Sequence, residues 1–225
     1  MKRSAAWIIA GTLFSAVVHA QSFTEGVHYR LIEPAQPTND ASKVEVVEIF
    51  SYACPACANF EPHIKQWSED VADDVILERI PVVFRASWEP FARAYFVADA
   101  LGILEQSHDA LFDALHGEGM SLRTDDDIAE FFADRFGVSE DEYRRAAKSF
   151  AIQTRLNRGM VQSQRYGVES TPSIVINGKY ITTPRMAGSA DNALALVEFL
   201  IEKERAAMVP ASASEEAVTE ADADS

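Results

Sequence analysis

The sequence predicts an α/β fold in which a β-sheet unit is interrupted by a helical insertion. Three observations carry that expectation. Residues 44–84 read as strand, helix, strand, the pattern of a parallel βαβ unit. Residues 88–166 then show helical periodicity with little strand signal. Strand signals return at Ser173–Asn177 (SIVIN), where Asn177-Gly178 marks a hairpin before the return strand Lys179–Thr182.

Each element has its own cause. His28–Ile32 suits a brief edge strand. Val44–Phe50 (VEVVEIF) is a β-branched apolar run carrying two acids and fits a central strand. Pro55 suits the first turn of a helix running to about Val71. VILERIPVVF, within 73–84, forms the second strand. In the helical stretch, Phe91, Ala94, Tyr95 and Ala98 share one face of a helix over Glu89–Leu101. A short helix is expected at Asp109–His116. Thr124 opens a helix at Asp125 that ends at Phe136 before Gly137, and Ser139 with Glu142 forms a capping-box pattern for the next. A longer helix covers Ile152–Tyr166, and Asp191–Arg205 closes the fold.

The N-terminus has the form of a secretory signal peptide over residues 1–20: Lys2-Arg3, an apolar run from Ala5 to Val18, and Val18-His19-Ala20 at the cleavage site. The run is short for a membrane span, and no Cys follows it to carry a lipid anchor. Residues 206–225 are Ala, Ser and acid without a basic residue and are expected to be a disordered acidic tail. Lys plus Arg is 20 against 35 Asp plus Glu, a net charge of −15. This excludes a broad basic face for nucleic acid or anionic lipid.

The chain has two cysteines, Cys54 and Cys57, too few for a disulfide-stapled scaffold. They sit where strand gives way to helix, so Cys54 lies at a helix N-terminus whose dipole and free N–H groups favour a thiolate. Two intervening residues let Cys57 reach back over one turn. Cys54 is expected to be the exposed attacking sulfur and Cys57 the buried resolving one. A structural disulfide closing so short a loop would stabilise little. A zinc site needs more ligands, and His63, His108 and His116 have no ligand spacing to the pair. A redox pair remains the best reading.

With these residues in view, the chain resembles a known family. Glu48-Ile49-Phe50-Ser51-Tyr52-Ala53-Cys54-Pro55-Ala56-Cys57, followed by Phe60-Glu61, is similar to the active-site segment of the DsbA family of disulfide oxidoreductases. Ser170-Thr171-Pro172-Ser173, then Val175-Ile176-Asn177-Gly178-Lys179-Tyr180, extends the resemblance. It implies a thioredoxin-like fold with an inserted helical subdomain. The thioredoxin halves would cover about 21–86 and 165–205, and the insertion about 87–164. It also implies an exported, periplasmic, monomeric enzyme that introduces disulfides into folding secreted proteins. A quinone-linked membrane partner of the DsbB type would reoxidise it, and no organic cofactor or metal is required.

The resemblance assigns Pro172 to a cis-proline loop that faces the cysteines and binds substrate together with Thr171, Pro55 and Ala56. From the residues alone, Thr171-Pro172 is equally an ordinary trans turn. Glu48 corresponds to a buried acid beneath the pair, which would modulate thiol pKa and move protons; a solvent-facing Glu on a strand is the plainer alternative. Three departures bear on function. Arg79 stands where the acid often has a Lys, and arginine does not release its proton. Ala56 stands where strong oxidants often have His, which implies a less oxidising pair than in a His-bearing homologue. Thr171 replaces a frequent Val, and its hydroxyl either approaches the sulfurs or fits a tight turn. Tyr52 is open between the substrate surface and the core, and His63 and Trp67 read as packing or surface residues. A reductase or isomerase on the same fold, or a binding module with a structural disulfide, are the rival readings. Isomerases of this kind usually carry an added dimerisation domain, for which 21–42 is too short.

Overall fold

A computed structural model describes residues 22–208. The expected signal peptide lies outside them, as does the tail beyond Met208. The elements are β1 (Arg30–Leu31), β2 (Val44–Phe50), α1 (Pro55–Asp70), β3 (Val75–Pro81), α2 (Glu89–Ala100), α3 (Leu104–Phe112), α4 (Asp125–Phe136), α5 (Glu140–Ala147), α6 (Phe150–Arg165), β4 (Ser173–Ile176), β5 (Tyr180–Thr182), α7 (Pro184–Ala187) and α8 (Ala190–Met208).

The five strands form one sheet in the order β1-β5-β4-β2-β3. β2 pairs parallel with β3 and antiparallel with β4, so its backbone is bonded on both sides. All seven of its residues are buried, which explains why the run lacks polar alternation. The β4–β5 hairpin turns at Asn177 and Gly178, both at positive φ (52° and 63°), as a two-residue hairpin of this hand requires. A Cβ on Gly178 would fall 2.2 Å from the Gln36 carbonyl oxygen.

Successive β2 side chains point to opposite faces of the sheet. Val44 and Val46 pack with Phe60 and Ile64 of α1 and with Leu196, Val197 and Leu200 of α8. Val47 and Ile49 pack on the other face with Ile80, Val175, Ile181 and Tyr166. Gly159 of α6 comes so near that face that a Cβ would lie 3.0 Å from Ile80 Cγ2. The helical stretch thus does more than pack on itself. Its core of Phe91, Leu111, Phe132, Tyr143 and Ile152 is continuous with Phe50, Tyr52, Cys54 and Cys57. This is the layered α/β sheet with a helical insertion that the resemblance implies.

Several boundaries moved. α3 begins at Leu104, five residues before the expected Asp109, and its final stretch widens into a π-type turn at Asp113–Gly117. Thr124 and Asp127 make the reciprocal capping box. Ser139 accepts from Glu142 N as an N-cap. α6 starts at Phe150 behind its cap Ser149. α8 runs to Met208, three residues into the stretch expected to be disordered from 206.

Candidate active site

The site is built at the end of β2. The chain leaves the sheet at Phe50, turns through Ser51-Tyr52-Ala53 and enters α1 with Cys54 as its N-cap residue (φ −98°, ψ 113°) and Pro55 in the first turn. Cys54 N donates to Ser51 O (3.0 Å) and Ala53 N to Ser51 Oγ (3.2 Å), which closes the turn. Cys54 O accepts from the N–H groups of Cys57 and Ala58. Pro55 has no N–H to leave unpaired here.

Both cysteines are free thiols. Cys57 is fully covered and Cys54 retains 8% exposure. The expected order of accessibility stands, but Cys54 is not the openly exposed sulfur foreseen. Its Sγ lies 3.5 Å from the Thr171 carbonyl oxygen, and the Thr171–Pro172 peptide beside it is cis. Pro172 is buried, Thr171 is half-buried, and Pro55 and Ala56 are exposed. A cleft of about 410 Å³ beside the pair is lined by Ala56, Asn59, Phe60, Thr171, Pro172 and Arg185, among others.

The two thiols differ sharply in acidity. A hydrogen bond from the Cys57 side chain is the largest influence on Cys54. Burial opposes it, and the Thr171 side chain and the N–H groups of Cys57 and Ala56 add to it. Together they bring Cys54 down to about 5. Burial, reinforced by the neighbouring Cys54, pushes the Cys57 thiol far above its ordinary range. One sulfur is therefore a thiolate at neutral pH and the other a protonated thiol, the asymmetry that thiol–disulfide exchange requires. The hydrogen-bond contact between Cys54 Sγ and Thr171 is with the Thr171 carbonyl oxygen, while the Thr171 side chain contributes to the lowering of the Cys54 thiol.

A buried polar chain links β2, β3, α1 and α3 through Glu48, Arg79, Glu61, His108 and Tyr52. Glu48 projects from β2 on the α1 face, between Val46 and Phe50, and is fully buried. Its Oε2 accepts from Arg79 Nε at 2.9 Å. Arg79 Nη2 also reaches Glu61 Oε1 at 3.3 Å. Glu61 stands one helical turn after Cys57 on the buried face of α1. Its other oxygen lies 3.2 Å from His108 Nε2, an ion-pair distance without hydrogen-bond alignment. His108 Nδ1 is 2.7 Å from the Tyr52 hydroxyl. Burial raises the Glu48 carboxyl, the Glu61 charge adds to that, and Arg79 opposes it. Arg79, although burial disfavours its charge, is held cationic by Glu48 and Glu61.

Glu48 is thus buried rather than solvent-facing, and Tyr52, at 1% exposure, belongs to the core. His63 is a surface residue paired with Asp191. Trp67 donates to Glu198 from α1 to α8. Sequence reasoning missed Glu61 and His108 as members of the buried chain. Glu61 lies at i+4 from Cys57, and His108 lies within an apolar stripe with Leu111 and Phe112. Those were the available signals.

Comparison with known proteins agrees with this geometry. A thioredoxin family model matches residues 38–195. The thiol:disulfide interchange protein DsbA of Pseudomonas aeruginosa is 34% identical over 202 residues, covering 90% of this chain and 95% of that protein. The DsbA of Azotobacter vinelandii is 34% identical over 206 residues, covering 89% and 96%. The crystal structure of P. aeruginosa DsbA superposes with a TM-score of 0.78 at 35% identity, covering 82% of this chain and 96% of that one. The oxidoreductase DsbA from Xylella fastidiosa gives 0.74 at 34% identity, covering 80% and 96%. With its cysteine pair at a strand-to-helix turn and this coverage, the chain belongs to the DsbA family and is a protein thiol–disulfide oxidoreductase.

Proposed function

We propose that this enzyme works in the oxidising direction, donating a Cys54–Cys57 disulfide to reduced proteins that fold after export to the periplasm. The observation that carries the reading is the acidity difference within the pair. A thiol lowered to about 5 is an excellent leaving group and stabilises the reduced form, which makes the disulfide a strong oxidant.

The chemistry follows from the two sulfurs. A substrate thiolate attacks Cys54 Sγ. The Cys54–Cys57 bond breaks, and Cys57, whose thiol is strongly favoured, takes up a proton. A second substrate thiolate then attacks the substrate sulfur of the mixed disulfide. Cys54 leaves as a thiolate, so the substrate gains a disulfide and the enzyme two electrons. Glu48, whose carboxyl is raised by burial, takes the role of proton holder in this reading. Arg79 orients Glu48 and keeps its own proton. Thr171, Pro172, Pro55 and Ala56 line the surface on which the substrate segment lies. The reduced enzyme, working as a monomer, returns to the disulfide through a quinone-linked membrane protein of the DsbB type, as the family resemblance implies.

The test is oxidation of a reduced, denatured protein by the preoxidised enzyme without other oxidant. One substrate disulfide per enzyme, with matching appearance of Cys54 and Cys57 thiols, is expected. Reduction of a disulfide substrate by the dithiol enzyme at comparable equilibrium would favour the reductase instead.

A further inference from the structure

Tyr52 is held at both of its ends by the helical insertion. Inside, His108 Nδ1 and the Tyr52 hydroxyl share a 2.7 Å hydrogen bond, with His108 only 7% exposed. At the surface, His116 Nε2 donates to the Tyr52 carbonyl oxygen at 2.7 Å. Between them Phe112 sets its ring edge-on against Tyr52, centroids 4.9 Å apart. Residues 108, 112 and 116 are spaced four apart, and α-helical rotation of about 100° per residue would carry the third well off the line of the first. The wide turn at Asp113–Gly117, where Glu118 N reaches back to Asp113 O (2.7 Å), rotates each residue by less. It brings His116 back onto the face that meets Tyr52. Wide turns of this kind are uncommon and concentrate at functional sites.

We propose that His108 and His116 are positioning residues, a clamp by which the helical insertion sets the acidity of Cys54. The inference rests on Cys54 being the exchanging sulfur. Tyr52 occupies the middle of the turn closed by Cys54 N to Ser51 O. Its side chain can swing only if the His108 bond breaks, and its carbonyl only if the His116 bond breaks. The Cys54 sulfur takes its stabilisation from the Ala56 and Cys57 N–H groups, the Cys57 thiol and Thr171. Such bonds weaken steeply with distance and angle. A turn free to shift therefore holds the thiolate less well. The same His108 faces Glu61 across 3.2 Å, with Arg79 and Glu48 behind it and the rings of Phe50 and Tyr95 around it, so the clamp is anchored in the buried polar chain.

The experiment is titration of the Cys54 thiolate by its ultraviolet absorbance in wild type, Tyr52→Phe, His116→Leu and His116→Gln, each checked for native circular dichroism. Tyr52→Phe removes one hydroxyl, and His116 is at the surface, so folding is retained. The expected result is a threefold to tenfold loss of thiolate stabilisation in Tyr52→Phe and His116→Leu, about what one hydrogen bond supplies. His116→Gln, which keeps a donor, should restore most of it. A wild-type midpoint near 5 that is unmoved in either Tyr52→Phe or His116→Leu overturns the clamp, whatever the loss in global stability. A wild-type thiol without a low midpoint would instead overturn the reading of Cys54 itself.

Discussion

Glu48 and Arg79 are direct partners across the parallel β2–β3 pair, and their side chains meet at 2.9 Å, Glu48 fully buried and Arg79 partly so. Arg79 also carries Glu61, so a single guanidinium serves two buried acids. This arrangement answers the question raised by finding arginine at a position where lysine is frequent. Arginine's fork reaches both carboxylates at once, and its fixed charge leaves the mobile proton to the other members of the chain.

Removing that cation should be costly. Arg79→Met leaves Glu48 buried without its cationic partner and Glu61 with only the nearby His108 imidazole, and a loss of about 3–5 kcal/mol in urea unfolding near neutral pH is expected. The loss should shrink in acid, where the carboxyls take up protons. A change below about 1 kcal/mol would show that the pair is not the support described.

The pH dependence of the reduced enzyme has a definite sign. Cys54 is lowered from 9.0 to about 5, so the reduced fold binds this proton more weakly than the unfolded chain does. The stabilisation is complete above about 9, diminishes as pH falls from there, and is gone below about 5. The disulfide form has no such thiol. The stability of the reduced form relative to the oxidised form should therefore rise from pH 5 to pH 9. Parallel thermal melts of the two forms check it, and a gap that stays flat or narrows with rising pH contradicts the assignment.

Ala56 is exposed beside the Cys54 sulfur, to which it lends only its backbone N–H. Ala56→His would add a cationic neighbour. One charge-assisted contact is worth about 1–3 kcal/mol, or about one to two pKa units. A more acidic Cys54 and a more oxidising pair are expected, read by glutathione equilibrium. An unchanged potential would refute the link between position 56 and oxidising strength.

The acidic stretch after Met208 has no place in the proposed exchange. Truncation after Met208, which spares α8, should leave the exchange rate with a reduced peptide unchanged. A tenfold fall would reveal a docking role for that stretch.

What the sequence disclosed depended on how local the cause was. The apolar run Val44–Phe50, the cap Thr124 with Gly137 closing α4, and the Asn177-Gly178 turn are signals written within a few residues, and each appears in place. α3 escaped at its start because Ile103 offers no capping side chain. α7 was passed over although Thr183 caps it, Pro184 stands in its first turn and Gly188 ends it. The pair Cys54 and Cys57 and the acid Glu48 were legible from motif and pattern. The buried chain was not, because Tyr52 and His108 are 56 residues apart and meet only when α3 folds against the turn. The resemblance set the Thr171–Pro172 loop against the cysteines, but not how nearly Cys54 is buried beside it, 117 residues away in the chain.

The most direct test of the central claim, that an acidic Cys54 makes this an oxidising disulfide, is redox equilibration with glutathione at pH 7 and quantification of the Cys54–Cys57 disulfide. A potential well above the about −270 mV of thioredoxin is expected. A value at or below that figure would contradict the account.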